Sequence, residues 1–587
     1  MKYFCSLQGK CCTYLLNTAF NKMIRWFLFY TMLQFVSFEL KAQHTSYINL
    51  DHSWNFRQLG TPKWYTASVP GTIHTDLMAQ DLIPDPFYRD NEQKVQWVSQ
   101  VDWEYQTTFK LSDYQLHLKK IVLQFDGLDT YADVYLNDSL ILQAENMFRT
   151  YVVDISQLVQ SKNVLNIEFR NADKMVDSIA LIAKPLQRPC ENNRNYVRKA
   201  QYHFGWDWAP KLTTCGIWRP VKIGFGDLPS PSSAYYSDVK LKLEKDSIGE
   251  SFYFEVNGIP TFMKGANWIP ADVFLPRITK DKYRALLIAA KEANFNMLRV
   301  WGGGIYEDDA FYDLCDSLGI NIWQDFMFAG AMYPADTHFV ENVKAELRDN
   351  IIRLRKHKCI VLWCGNNEID EAWHNWGWQK QFKLSTNDST LLWDEYDLLF
   401  NKVIPELLLE LDPGRQYIAS SPLNGWGRQR SMTHGDAHYW GMWWGLEPIS
   451  IMKTKVPRFM SEYGMQAMPN IESIEEFSIP ADYDTSSRVM KIHQKHPTGY
   501  QTLASYLSQE KLNSSNFSEY INATQELQSR ALGISIESQL QSNKRCMGSL
   551  IWQFNDCWPV CSWSIIDYYG RKKKGYFTVQ KLFQQNP

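Results

Sequence analysis

The spacing of apolar positions divides this chain into two parts. From residue 44 to about 228, apolar residues come in short runs, several alternating with polar ones: 120–125, 131–136, 140–143 and 164–169. Turn pairs such as Asp126-Gly127 and Asn137-Asp138 separate them. Alternation puts successive side chains on opposite faces of a strand, and short strands at this spacing predict an antiparallel β-sandwich. Pro229, Ser230, Pro231, Ser232 and Ser233 then mark a linker, followed by a charged segment to about residue 250. Two apolar runs, 252–256 and 259–263, flank Asn257-Gly258, a pair that supplies both positive φ angles of a type I′ turn, so a hairpin is predicted here.

Beyond that hairpin the period changes. Helical patterns at 281–294, 307–318, 338–357 and 391–411 each precede a strand-like run, at 295–301, 320–326, 359–365 and 417–421. Further strand-like runs lie at 437–440, 458–463 and 549–554, the last after a helical stretch at 519–541. Alternating units of this number predict a parallel sheet, in its commonest form a closed (β/α)8 TIM barrel. A doubly wound open sheet fits less well, because no glycine-rich phosphate loop opens any helix.

A length of 587 residues exceeds one compact core, so two or three domains are expected. The net charge of -3 makes no electrostatic case for nucleic acid or an anionic membrane surface. The one basic run, Arg571-Lys572-Lys573-Lys574, reads as a solvated helix end. Aromatic residues are abundant, with 23 Trp and 31 Tyr, and flat amphipathic rings suit a ligand with an apolar face and a hydroxylated edge, as a sugar has. A large core filled with Trp is the plainer alternative.

At the N-terminus an apolar run, 26–38, follows Lys22 and Arg25 and precedes Leu40-Lys41-Ala42. It is too short to span a bilayer and has the layout of a signal peptide, with Met23 as the neater start. Residues 1–42 are therefore expected to be removed. The expected location is the secretory pathway, lysosomal or extracellular, with no membrane insertion afterwards. Of eleven cysteines, Cys5, Cys11 and Cys12 fall in that segment, and the other eight form no C-x-x-C pair. Cys190 with Cys215, and Cys557 with Cys561, are open to bridging in an oxidising compartment. Sequons at Asn137, Asn387, Asn513, Asn516 and Asn522 agree with secretion.

In a barrel, chemistry gathers at the C-terminal ends of the strands. Glu368 and Glu462 fall there, together with Trp301, Asp325, His438, Tyr439, Asn555 and Asp556. Two carboxyls are the minimum for glycosidic cleavage, one protonating the departing oxygen and one meeting positive charge at the anomeric carbon. Strands four and seven of a barrel face each other across the mouth, where the pair would sit about 5–5.5 Å apart, the retaining distance. A glutamate at a strand end also serves as a cap or an arginine partner. The neighbours favour chemistry: Asn366 and Asn367 offer amides to a sugar hydroxyl. Arg299 either keeps a facing carboxylate ionised or forms a barrel ion pair. Gly302-Gly303-Gly304 reads as a tight loop that clears access for the Trp301 ring. Asp207 between Trp206 and Trp208 is either a sugar clamp or a buried aromatic corner. No H-E-x-x-H pattern and no G-x-S-x-G elbow occurs, so neither a metal nor any other cofactor is expected, and Cys364 reads as packing.

One ordered set of motifs goes further: FGWDWAPKLTTCGIWRPV (204–221), FMKGANWIPAD (262–272), NMLRVWGGGIYE (296–307), WQDFMFA (323–329), WCGNNE (363–368), SEYGMQAMP (461–469) and WQFNDCWPVCSW (552–563). From about residue 46 to 580 the chain resembles the β-mannosidases of glycoside hydrolase family 2. The resemblance implies a retaining, exo-acting hydrolase that removes terminal β-mannose from oligosaccharides. It places the acid/base on Glu368, the nucleophile on Glu462 and Asn367 at the sugar 2-hydroxyl. Trp206 and Asp207 fall on a loop reaching from the jelly-roll, sugar-binding-like sandwich into the barrel mouth, which would close one side of the pocket. Trp301, Tyr439 and Trp552 fit the substrate-binding shell, and Arg299 supports it. Two departures stand out: the family's immunoglobulin-like middle domain has no room between Val221 and Phe252, and its C-terminal β domains do not follow residue 587. The expected division is a sandwich at 43–228, a short linker at 229–250 and a catalytic barrel at 251–587. Other family 2 activities, a β-glucosaminidase or β-galactosidase, and a shortened sugar-binding form without turnover are the alternatives.

Overall fold

The computed structural model describes residues 46–183, 186–226 and 232–585; the expected signal segment and part of the linker lie outside them. The alternating N-terminal half forms two antiparallel sheets. One has four strands in the order Ser46–Asn49, Val221–Phe225, Ile121–Phe125, Tyr151–Asp154. The other has six, with Trp103–Lys110, Lys162–Phe169 and Tyr131–Leu136 at its centre. Alternation survives in Lys162–Phe169, where Val164 and Asn166 face outward or partly so while Asn163, Leu165, Ile167 and Phe169 are buried. Ile121–Phe125 is buried almost throughout, as expected of a strand covered on both faces.

The second half holds eight parallel strands with helices between them. Their order in the sheet runs fifth, fourth, third, second, first, eighth, seventh, sixth. The first strand, Met263–Trp268, pairs with both the second, Met297–Val300, and the eighth, Gly548–Ile551, so the sheet curls back on itself. Met263–Trp268 is a correction: the 259–263 run was expected as a hairpin arm, but the arm ends at Thr261 and the chain turns straight into the first parallel strand. The ring is also not fully closed. The fifth strand, Gln416–Ile418, and the sixth, Asp436–His438, share no ladder. Asp436 stitches the gap instead, accepting from Leu423 N at 2.7 Å on Oδ1 and from the Ser421 and Ser461 hydroxyls at 2.7 and 2.6 Å on Oδ2.

One end of the curled sheet is sealed. A small antiparallel sheet, Val239–Lys242, Tyr253–Val256 and Ile259–Thr261, lies beneath the strand N-termini. Phe252 stacks on Trp323 at 5.7 Å and packs on Phe459 at 5.0 Å, plugging the bottom with apolar surface. The C-terminal ends of the strands are left open to a cavity.

The N-terminal sheets are bound to this open end through buried charge. Arg198 forms a two-pronged ion pair with Glu346 at 2.8 and 2.7 Å, both side chains fully buried, and Asn146 and Tyr306 donate to the same carboxylate. Two expectations about charge and sulfur are corrected. Lys573 of the basic run is not solvated: it is buried and donates to the Ala467 carbonyl at 3.1 Å. The eight cysteines among the described residues are all free thiols, so neither the 190–215 nor the 557–561 bridge forms. Among the described residues no helix is long and apolar enough to cross a membrane.

Candidate active site

Strands four and seven deliver the two glutamates. Glu462 is the last residue of Phe459–Glu462, so the strand itself fixes its direction. Glu368 comes four residues after Ile360–Cys364, at the N-cap of the helix Ile369–Asn375. Its φ of 61° is left-handed, a conformation that costs a non-glycine residue of order 1–3 kcal/mol. Bonds on both sides hold it: Glu368 N donates to the Ser421 carbonyl at 2.8 Å, and its own carbonyl accepts from Ala372 N at 2.8 Å.

The carboxyls converge on one imidazole. His438 Nδ1 lies 2.9 Å from Glu368 Oε1 and 3.3 Å from Glu462 Oε2, and the three groups' facing atoms all fall within 4.8 Å of one another. Burial lowers the His438 pKa to about 4, so the ring is neutral at neutral pH. Its tautomer follows from the bonds around it. Arg299 Nη1–H, which can only donate, points at His438 Nε2 at 3.4 Å, so Nε2 is the acceptor, while the Ser421 hydroxyl gives its proton to Asp436. That leaves the ring proton on Nδ1, facing both carboxyls as a donor.

Arg299 separates the two carboxyls electrically. The guanidinium is fully buried and donates to Glu462 Oε1 at 2.5 Å, to Asp325 through Nη2 at 2.8 Å and to Asn367 Oδ1 at 2.9 Å. Burial pushes both glutamates up, each to about 7. Only Glu462 receives the guanidinium directly, so the negative charge resides there and the proton on Glu368. Asn367 joins the two sites, accepting from Arg299 and donating to Glu368 Oε2 at 3.3 Å.

Both glutamates open into a cavity of about 1010 Å³. Asp207 lines it as well, and burial, with the neighbouring Glu368 and Glu462 carboxyls opposing a third negative charge, raises its pKa to about 8. Trp206, Trp301 and Trp552 supply aromatic wall, with Trp301 edge-on to Trp206 at 4.8 Å and to Trp552 at 5.6 Å. Gly303 is small for a reason: a Cβ there would lie 1.9 Å from the Trp301 ring. The loop carrying Trp206 and Asp207 belongs to the N-terminal half and is pinned to the mouth. Arg194 donates to the Ala329 and Gly330 carbonyls at 2.9 and 3.2 Å while its guanidinium covers the Trp206 ring at 4.7 Å.

Other expected residues lie elsewhere. Trp208 is wholly buried behind Trp301, so only Trp206 of the aromatic pair reaches the cavity. Tyr439 does not line the cavity. It is buried with its hydroxyl on Glu447, and the neighbouring Trp440 takes the lining position. Asn555 and Asp556 are buried in loop hydrogen bonds, to the Ile269 carbonyl and to Ser562 and Ser564. His438 stood among the strand-end residues without an assigned role, and Arg194 was not singled out. A histidine at the end of a strand-like run was a visible signal for the first; nothing local marked the second.

A buried carboxyl pair sharing one proton at the open end of a curled parallel sheet is the equipment of a glycosidase. Residues 54–219 match the family model for the glycosyl hydrolase 2 galactose-binding domain-like module. The chain is 33% identical over 651 residues to β-mannosidase B of Thermothelomyces thermophilus, covering 91% of this chain and 76% of the relative. To the β-mannosidase of Mus musculus it is 30% identical over 677 residues, with the same coverage. Both aligned spans exceed this chain's 587 residues, so the relatives carry inserted residues within the matched region. A β-D-mannosidase structure from Dictyoglomus thermophilum superposes with a TM-score of 0.85 at 35% identity, covering 92% of this chain and 78% of that one. An exo-chitosanase from Amycolatopsis orientalis, at 16% identity and a TM-score of 0.67, shares the fold. The chain belongs to the β-mannosidase family within glycoside hydrolase family 2.

Proposed function

We propose that the protein removes single β-mannose residues from the non-reducing ends of oligosaccharides, with retention at the anomeric carbon. The observation that carries this reading is the convergence of Glu368 and Glu462 on His438 Nδ1, with facing atoms within 4.8 Å. That spacing suits attack by one carboxylate and leaves no room for an intervening water, which an inverting enzyme needs. Glu368 gives its proton to the glycosidic oxygen as the bond from that oxygen to the anomeric carbon breaks. Glu462 forms an ester to the same carbon. Water then attacks this carbon, giving its proton to Glu368, and the Glu462–carbon bond breaks to restore both groups. Arg299 is the reason Glu462 serves as nucleophile, because it holds that carboxylate charged.

Asn367 is assigned to the sugar 2-hydroxyl, and Trp301 and Trp552 to the walls around the ring. Trp206 and Asp207, on the pinned N-terminal loop, are assigned to the terminal sugar, where they would block a continuing chain. In this reading the two antiparallel sheets form a sugar-binding-like sandwich at 43–228, and the curled strands a catalytic (β/α)8 barrel at 251–587, joined by a short linker in place of a middle domain. The N-terminal apolar run supports entry into the secretory route. The deciding assay compares kcat/KM on aryl β-mannoside, β-glucoside and β-galactoside. The mannoside is expected to lead, and Glu462→Ala to lose at least about a thousandfold on it. Preference for another sugar would overturn the substrate, and full activity in Glu462→Ala would overturn the mechanism.

A further inference from the structure

We propose that Asp313, Asp316 and His357 form a zinc site that ties a helix to the entry of the fourth parallel strand, away from the cavity. Asp313 and Asp316 stand three positions apart on the helix Asp309–Leu318, so they share one face of it. His357 is buried and comes just before the fourth strand, Ile360–Cys364. Its Nδ1 lies 3.5 Å from Asp313 Oδ1 and 3.3 Å from Asp316 Oδ2, and the three facing atoms all fall within 4.8 Å of one another. Because the histidine belongs to a different element, no local spacing along the chain announces the set.

The distances separate a metal site from an ion pair. A charge-assisted hydrogen bond between a ring nitrogen and a carboxylate draws the heavy atoms to about 2.7–2.9 Å, and both contacts here are longer. Ligands about 2.0–2.2 Å from one tetrahedral zinc stand about 3.3–3.5 Å from each other along the edges of the tetrahedron. An octahedral magnesium, with bonds of about 2.0–2.1 Å, would set neighbouring ligands only about 2.8–3.0 Å apart, and calcium takes oxygen ligands rather than a ring nitrogen. The surroundings also call for a cation. Among the described residues no lysine or arginine lies within ion-pair reach of either carboxylate. Asp316 sits in the last turn of its helix, where the dipole disfavours negative charge. The other nitrogen of His357, Nε2, is buried with no partner, so the two carboxylates are the only polar groups the ring meets.

The ligands are oriented in advance. Asp316 Oδ1 accepts from Cys359 N at 2.7 Å, leaving Oδ2 for the metal, and Tyr312 flanks the imidazole with ring centres 5.3 Å apart. Asp313 is largely exposed, so solvent reaches the site and water can complete the four ligands.

The test is equilibrium dialysis of the chelator-stripped full chain against micromolar ZnCl2, followed by metal analysis, for the unmodified protein, Asp313→Ala and His357→Gln. The unmodified chain should retain about one Zn2+ more per chain than either variant. Asp313 is exposed, so Asp313→Ala should fold normally and carries the test if His357→Gln does not fold. Comparison with the variants subtracts any zinc held by Glu368, His438 and Glu462, a second cluster with ligand spacing. Zinc should also raise the thermal unfolding midpoint more in the unmodified chain than in Asp313→Ala. Equal zinc content in the unmodified chain and Asp313→Ala, or the same difference with MgCl2 or CaCl2 in place of zinc, would overturn the site.

Discussion

At the scale of single residues, the site works by giving two chemically identical side chains different charge. Burial favours the neutral form of both Glu368 and Glu462; Arg299 opposes it at both but donates directly to Glu462. Activity should therefore follow a bell-shaped pH profile. It falls as pH rises through about 7, where Glu368 loses its proton, and falls on the acid side as Glu462 gains one. With an activated aryl leaving group, Glu368→Gln should flatten the alkaline limb of glycosyl-enzyme formation and spare part of its rate. On a natural disaccharide the same variant should lose orders of magnitude. Stopped-flow and steady-state profiles from pH 4 to 9 would check both. His438 should act on the same limb. Its Nδ1–H favours ionised carboxyls, so His438→Ala should shift the alkaline limb to higher pH, and His438→Gln, whose amide can still donate, should shift it less. An unmoved limb in both variants would show that the ring only fills space.

At the scale of elements, the open seam between the fifth and sixth strands replaces a backbone ladder with one buried carboxylate. Asp436 accepts from Leu423 N, Ser421 and Ser461, and the Ser421 hydroxyl lies 3.1 Å from His438 Nε2. Removing this carboxylate takes the shared acceptor from three donors at once and leaves Leu423 N without a partner, so Asp436→Ala should cost about 2–4 kcal/mol in denaturant unfolding, with Asp436→Asn costing less. The loop after the second strand is the other sensitive element. In Gly303→Ala the new Cβ must displace the Trp301 ring, and with it the aromatic wall shared with Trp206 and Trp552. A loss of kcat/KM of about a hundredfold with little change in unfolding free energy is expected, since small misplacements near a reacting centre are costly.

At the scale of the whole molecule, the cavity is built by both halves of the chain. The parallel strands supply the glutamates, and the N-terminal half supplies Trp206 and Asp207. What holds the halves in register is buried and polar: Arg198 and Glu346 with Asn146 and Tyr306 around them, and Arg194 on the Ala329 and Gly330 carbonyls. Breaking one member of such a pair leaves a buried charge unpaired. Glu346→Ala should therefore lower stability by about 3–5 kcal/mol and lower activity, although Glu346 does not line the cavity. Calorimetry is expected to show the two halves melting in separate transitions in the variant.

The alternation of the N-terminal strands and the helix–strand rhythm of the second half were both legible along the chain, because each depends on side chains a few positions apart. Tyr131–Leu136 begins and ends where its pattern does, and Glu368 and Glu462 were found because strand ends are local features. The fate of Met263, whether last in a hairpin or first in the parallel sheet, depended on its partners Gly548 and Met297's strand, far away in sequence. The seam at Asp436, the burial of Lys573, the retreat of Tyr439 from the cavity and the single imidazole between two carboxyls were likewise decided only in three dimensions. Sequence determined which chemical groups the chain carries and which local elements present them. Tertiary structure decided which of those groups meet and which of them keep their charge, because burial and the distance to a buried cation are set by residues far apart in sequence.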